Sequence, residues 1–177
     1  MRLIAGARLV IVGGGFAGSK CAKTLRKHFS PDACEIVLFN RENHMVFHPL
    51  LAEVAGASIN PDAVAAPLRQ MLPTVQCRTE DVQRIDLDHR LIAYQGYDGQ
   101  SHTMTYDHLV LACGSAVNLG TVPGMSDHAF PLKTIGDAIA LRLHIMQLLE
   151  KAEVCDDEAL KHYYLSFIIV GGLGVWS

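Results

Sequence analysis

The chain has 177 residues, half of them apolar, a formal net charge of -3 and no block of Lys or Arg. That length and apolar share support a sizeable buried core and exclude a disordered chain, while the weak negative balance offers no basic face for nucleic acid. Cys21, Cys34, Cys77, Cys113 and Cys155 are odd in number and widely spaced, with no CxxC, so a disulfide scaffold is excluded and reduced thiols in a cytosolic setting are expected.

Met1 and Arg2 precede an apolar stretch, but Arg8 interrupts it and glycines follow at once, so a buried first strand is expected there, not a secretory signal. Ala7 to Val12 is that strand, and apolar residues from Phe16 to about His28 fall at helical spacing. Ser30, Pro31 and Asp32 punctuate the helix end, and Glu35 to Phe39 reads as a second strand, its unbroken apolar run typical of a parallel sheet. Residues 40–60 are irregular. A helical segment is expected from Pro61 to about Leu72, kinked or broken at Pro67. Val75 to Arg78 suggests a third strand, and Val82 to Asp86, Leu91 to Tyr94 and Thr103 to Tyr106 suggest a β-meander with a turn at Asp98-Gly99. Leu109 to Ala112 returns to buried-strand character, followed by a loop containing Gly114, Gly120, Pro123 and Gly124. Thr134 and Asp137 have the spacing of a capping box ahead of a helix ending near Glu153, whose row Ile139, Leu143, Met146 and Leu149 is expected to pack as core. Leu165 to Val170 is expected to be another strand; no run is long enough to span a bilayer.

Gly13-x-Gly15-x-x-Gly18 lies between a strand and a helix, where this spacing has a mechanism. The first glycine makes the turn, the second lets backbone approach a diphosphate, and the third allows close packing of helix on strand, with free helix amides facing the anion. A glycine-rich turn without ligand is the bland alternative; the flanking strand and helix favour dinucleotide binding. The acidic residue that such a site places at the end of the second strand is here Asn40, which can accept a ribose hydroxyl but lacks charge. Arg41 and Glu42 stand beside it and could compensate or simply be solvated loop. His44 and His48 are four apart, but in an irregular segment without other ligands, so no metal site is expected.

Two further stretches carry a resemblance. Phe39 to Arg41, Phe47-His48-Pro49-Leu50-Leu51-Ala52-Glu53-Val54-Ala55 and Ala65-Ala66-Pro67-Leu68-Arg69 resemble the type II NADH:quinone oxidoreductases. Tyr106 to Ser115 is similar to the motif closing the FAD domain in the wider pyridine-nucleotide flavoprotein family, which usually has Thr where Cys113 stands. The resemblance implies an α/β fold: a Rossmann-like FAD-binding domain with a central parallel sheet and an inserted β-meander, plus the first strand of a truncated second NAD-binding domain. It divides the chain into an FAD-binding part over 1–115, a connecting loop and helix over 116–163, and the start of the NADH domain over 164–177. It implies that Gly13, Gly15, Phe16, Ala17 and Gly18 hold the FAD diphosphate and that Asn40 and Arg41 lie near the adenosine. Backbone around Val82 is implied to meet the adenine, and Pro49, Ala112, Cys113 and Gly114 the phosphates or flavin.

The family's activity, on the same resemblance, is hydride transfer from NADH to flavin and then two-electron delivery to a quinone, with no obligatory catalytic side chain. A flavin-facing redox role for Cys113 would need a second, resolving cysteine, and none is paired with it by sequence, so it is expected simply to fill the Thr position. Alternatives are a sulfide:quinone or ferredoxin-reductase-like flavoprotein, and an inactive relic without cofactor. A second glycine fingerprint is expected from Gly171 onward, but Leu173 takes the middle position in one register and Ser177 the last position in the other. Val175-Trp176-Ser177 departs from the family's continuation, as a fragment or shifted reading frame would. The chain alone is therefore expected to hold FAD weakly or not at all and to lack NADH dehydrogenase activity. The full-length family protein is expected in the cytoplasm, peripheral on the inner face of the plasma membrane and docked through C-terminal parts.

Overall fold

The computed structural model describes residues 6–171. In chain order it contains β1 (Ala7–Val12), α1 (Phe16–His28), β2 (Cys34–Phe39), β3 (His44–Val46), a 3-10 turn (His48–Leu50) and α2 (Leu51–Ala55). A second 3-10 turn (Pro61–Val64), β4 (Ala65–Pro67), α3 (Leu68–Met71) and β5 (Gln76–Arg78) follow. Then come β6 (Asp81–Asp86), β7 (Leu91–Gln95), β8 (Ser101–Thr105), β9 (His108–Leu111), a 3-10 turn (Leu119–Thr121), α4 (Met125–His128), α5 (Ile135–Glu153) and α6 (Glu158–Tyr164).

Strands β5, β2, β1 and β9 form a parallel sheet in that order. From β1 the chain moves to β2 and β5 on one side and returns as β9 on the other, so strand order reverses between β1 and β9. Apolar runs in β1 and β2 follow from burial on both faces. Alternate residues divide between two cores: Leu9, Ile11, Ile36 and Leu38 pack with Ala22 of α1, Leu68 of α3 and Leu72. Val10, Val37 and Phe39 face Ile92, Tyr94 and Tyr106 of the meander side. The antiparallel β6-β7-β8 meander thus covers one face of the sheet and helices the other, with the Asp98-Gly99 turn where its sequence placed it.

The expected helix from Pro61 to Leu72 is divided. Ala65–Pro67 pairs antiparallel with His44–Val46, and the Leu68 amide donates to the Asn43 carbonyl at 2.9 Å, so the chain turns helical again only after Pro67. The capping box forms: Thr134 Oγ1 accepts from the Asp137 amide at 3.0 Å and Asp137 Oδ2 from the Thr134 amide at 2.7 Å. Two expectations fail. Ile139, Leu143, Met146 and Leu149 are 40–55% exposed, because the face that α5 turns inward is marked by Ala138 and Ala152, with Ala138 against Leu51, Val54 and Val64. Leu165 to Val170 is not a strand: Leu165 caps α6, and residues 166–170 join no sheet among the described residues, with Ile168 91% exposed. A strand requires a neighbour to take its amides and carbonyls, and the parallel sheet offers none here. The second glycine fingerprint, residues 172–177, lies outside the described residues.

Candidate functional site

Each glycine of the first fingerprint meets a different surrounding. Gly13 has φ +106°, and a Cβ there would stand 2.2 Å from the Ala112 carbonyl oxygen, so turn and close approach both require glycine. At Gly18 a Cβ would lie 1.8 Å from the Gly13 carbonyl oxygen, which sets how closely α1 sits on the loop. At Gly15 a Cβ would meet nothing within 4 Å. Backbone contact thus demands glycine at the first and third positions, whereas the second faces open space.

Gly15 is the N-cap of α1 and supplies no side-chain cap, and the first turn of α1 carries no acidic residue. The opening amides of a helix have no intrahelical acceptor, and they concentrate positive potential at its start. These features fit a dinucleotide's diphosphate. Ser19 steadies the turn from below, its hydroxyl donating to the Gly15 carbonyl at 2.7 Å. Phe16, the first helical residue, is half-exposed and packs edge-on against Phe47, ring centres 5.6 Å apart, with His48 at 6.3 Å.

The C-terminal ends of the parallel strands bring some of the other expected residues to this loop. Ala112 and Cys113 follow β9 and border Gly13; the Ala112 amide donates to the Val12 carbonyl at 2.8 Å. Gly114 comes next with φ +70°. Asn40 follows β2, and its Oδ1 accepts from the Gly14 amide at 2.8 Å. Pro49 is exposed and lies beside the Phe47-His48 pair that touches Phe16. Val82 is more remote: it pairs with Tyr94, whose ring lies 4.6 Å from the Arg78 guanidinium carbon at the end of β5. Arg41 is exposed and forms no ion pair among the described residues. Cys113 Sγ lies 3.7 Å from the Val12 carbonyl, and all five cysteines are free.

Sequence reasoning singled out neither Lys133 nor Glu80, and weighed His48 only as a metal ligand and a motif residue. Lys133 Nζ reaches Ser115 Oγ at 3.5 Å, placing a cation beside the residues after β9. Burial first, and the Lys133 charge second, hold the His48 imidazole below its usual range, favouring the neutral ring beside Phe16. Glu80 accepts from Arg78 Nε at 3.1 Å, and this hydrogen bond is the main cause holding its carboxyl below the ordinary range. None of the three has a periodic signal; the available hint was Lys133's place just before a capping box. A separate groove of about 610 Å3 runs between α2 and α5, lined largely by Ala52, Ala55, Leu141, Ile145 and Leu149. It lacks convergent polar groups and lies apart from the glycine loop.

No group of three or more His, Cys, Asp or Glu residues able to hold a metal occurs among the described residues, nor any helix long and apolar enough to cross a membrane.

The chain is similar to known proteins. The chain is 32% identical over 167 residues to the type II NADH:quinone oxidoreductase Ndh of Mycobacterium tuberculosis, covering 93% of this chain and 35% of that protein. It is 30% identical over 172 residues to the demethylphylloquinone reductase NdbB of a Synechocystis species, covering 93% of this chain and 40% of the relative. Among solved structures, NDH2 from Plasmodium falciparum in complex with NADH superimposes with a TM-score of 0.74 at 19% identity, covering 88% of this chain and 32% of that one. The sulfide:quinone oxidoreductase of Aquifex aeolicus gives 0.72 at 24%, over 82% of this chain and 33% of its own. At these identities the structural likeness establishes the fold, a Rossmann-like α/β unit with a central parallel sheet. Residues 7–174 match the pyridine nucleotide-disulphide oxidoreductase family, and the chain belongs to it.

Proposed function

We propose that this chain is the FAD-holding portion of an NADH:quinone oxidoreductase of the type II kind. The observation that carries the reading is the contrast within one turn: Gly13 and Gly18 abut backbone while Gly15 faces open space at the start of α1. That turn lies beyond the carboxyl end of β1, beside that of β9, where strand order reverses, the usual place for a nucleotide in such sheets. FAD, which the family uses with NADH, supplies the redox chemistry when bound.

The chain's own residues bind and orient. Amides from Gly15 to Ala17 would hold the diphosphate, with Lys133, beside Ser115, adding positive charge. Asn40 and Arg41 would lie near the adenosine, backbone around Val82 would meet the adenine, and Pro49 with Ala112 to Gly114 would meet the phosphates or flavin. No side chain is assigned a proton-transfer role. Residues 1–115 belong to the FAD part, 116–163 to the connecting loop and helix, and 164–177 to the start of an NADH domain. The quinone partner, and membrane docking at the inner face of the plasma membrane through parts outside this sequence, belong to the longer protein.

Leu111, just ahead of Ala112 to Gly114, is 61% exposed, so little apolar cover would enclose a flavin there; FAD is expected to bind weakly and NADH dehydrogenase activity to be absent from the chain alone. Titrating isotope-labelled chain with FAD to about 1 mM, where even a complex worth about 4 kcal/mol is half formed, tests this by amide shifts. Shifts should gather on residues 13–18, Asn40 and residues 112–114. Silence there, or NADH oxidation at an ordinary enzymatic rate, would refute the respective half of the proposal.

A further inference from the structure

We infer that Asn40 is a latch for the glycine loop and not a reader of the adenosine ribose, so the site accepts adenine nucleotides whether or not they carry a 2'-hydroxyl. This rests on the nucleotide-binding reading above and adds its ligand specificity. In a dinucleotide site of this fold the residue ending the second strand is ordinarily acidic, and its carboxylate has two oxygens with which to grip the ribose. Asn40 has one acceptor oxygen, and the amide of Gly14 already donates to it at 2.8 Å, which takes one of its two lone pairs and fixes the direction of the other, where a carboxylate would keep a whole second oxygen for the ribose.

Its other end is committed as well. Asn40 Nδ2 donates to the Glu42 carbonyl at 2.7 Å and faces the His44 carbonyl at 3.4 Å. These partners fix the orientation of the amide: its oxygen must point to the glycine N–H and its nitrogen to the two carbonyls. A carboxylate could replace only the first interaction, because its second oxygen would confront carbonyl oxygens with no proton between them. The position is anchored from the backbone too, the Asn40 amide donating to the Arg78 carbonyl at 2.9 Å. Asn40 therefore ties together the glycine loop, the segment entering β3 and the end of β5. Its side chain also packs against Gly14, where a Cβ would come within 2.8 Å of Asn40 Cβ. The residue type matches this internal role, and position 40 offers the ribose no anion.

The probes are ADP and 2'-deoxy-ADP, titrated into the isotope-labelled full chain and followed at residues 13–18. Affinities within about threefold of each other are expected, since a bond to a charged reader would be worth tenfold or more. A larger preference for ADP overturns the inference. Asn40→Asp provides the second arm: a latch predicts a lower melting temperature and weaker ADP binding, whereas a reader predicts tighter ADP binding and a widened preference over the deoxy nucleotide. Should Asn40→Asp fail to fold, the wild-type ratio alone decides. If ADP produces no shifts at all, the nucleotide-binding reading itself falls and the inference falls with it.

Discussion

Adding one methyl group at Gly15 or at Gly18 should separate ligand binding from folding. In Gly18→Ala the new Cβ would stand 1.8 Å from the Gly13 carbonyl oxygen and 3.3 Å from Ile11 Cγ2, and the first contact is backbone that cannot swing aside. Overpacking of this severity costs about 3 kcal/mol, offset by about 1 kcal/mol of helix propensity gained over glycine, for a net loss of about 2 kcal/mol. For a chain of this size that lowers the melting temperature by about 4–8 °C. In Gly15→Ala the new Cβ meets nothing within 4 Å, and φ of -69° is ordinary for any residue. Stability should fall by no more than about 1 kcal/mol, the difference between glycine and alanine at an N-cap. The same Cβ occupies the space assigned to the diphosphate, so FAD affinity should drop by about tenfold or more, as expected when a built-in clash replaces amide contact. Circular-dichroism melts and FAD titrations on both variants measure the two effects. If Gly15→Ala melts as early as Gly18→Ala, or binds FAD like the parent chain, the division of labour among the glycines is wrong.

Three further outcomes are expected. Glu80 is held below its ordinary value of 4.5 chiefly by its hydrogen bond from Arg78, so the stability it contributes is present above pH 4.5 and is lost as pH falls through its lower folded value. Acid titration of the melting temperature should therefore be shallower in Glu80→Gln over that window; an unchanged profile would show that the pair contributes nothing. Thr134→Ala removes one half of the α5 capping box and should cost about 1 kcal/mol, read from urea denaturation as a lower midpoint at unchanged slope. Ile168→Lys changes a side chain 91% exposed, so the monomer should lose less than about 0.5 kcal/mol while concentration-dependent light scattering declines. A large loss of stability would mean that Ile168 is packed, contrary to its position.

Where structure is dictated by nearest neighbours along the chain, the residues alone were sufficient. β1, the glycine turn and α1 form one local unit, and the strict spacing of Gly13, Gly15 and Gly18 has few conformational alternatives. The continuous apolar runs of β1 and β2 signalled burial on both faces, and Thr134 with Asp137 announced the start of α5. What distant segments decide was not legible. β3 and β4 are three residues each, too short for a periodic pattern, and exist because His44 and Pro67 are brought opposite each other. Leu165 to Val170 has the composition of a strand, but a ladder needs a partner, and composition cannot supply one. The α5 row was read as core because periodicity identifies an apolar stripe without saying what lies against it. The site divides in the same way: motif spacing determined the loop that could cradle a diphosphate, whereas the tertiary structure committed Asn40 to that loop and brought Lys133 to Ser115, because hydrogen bonds and charges act across space and not along the chain.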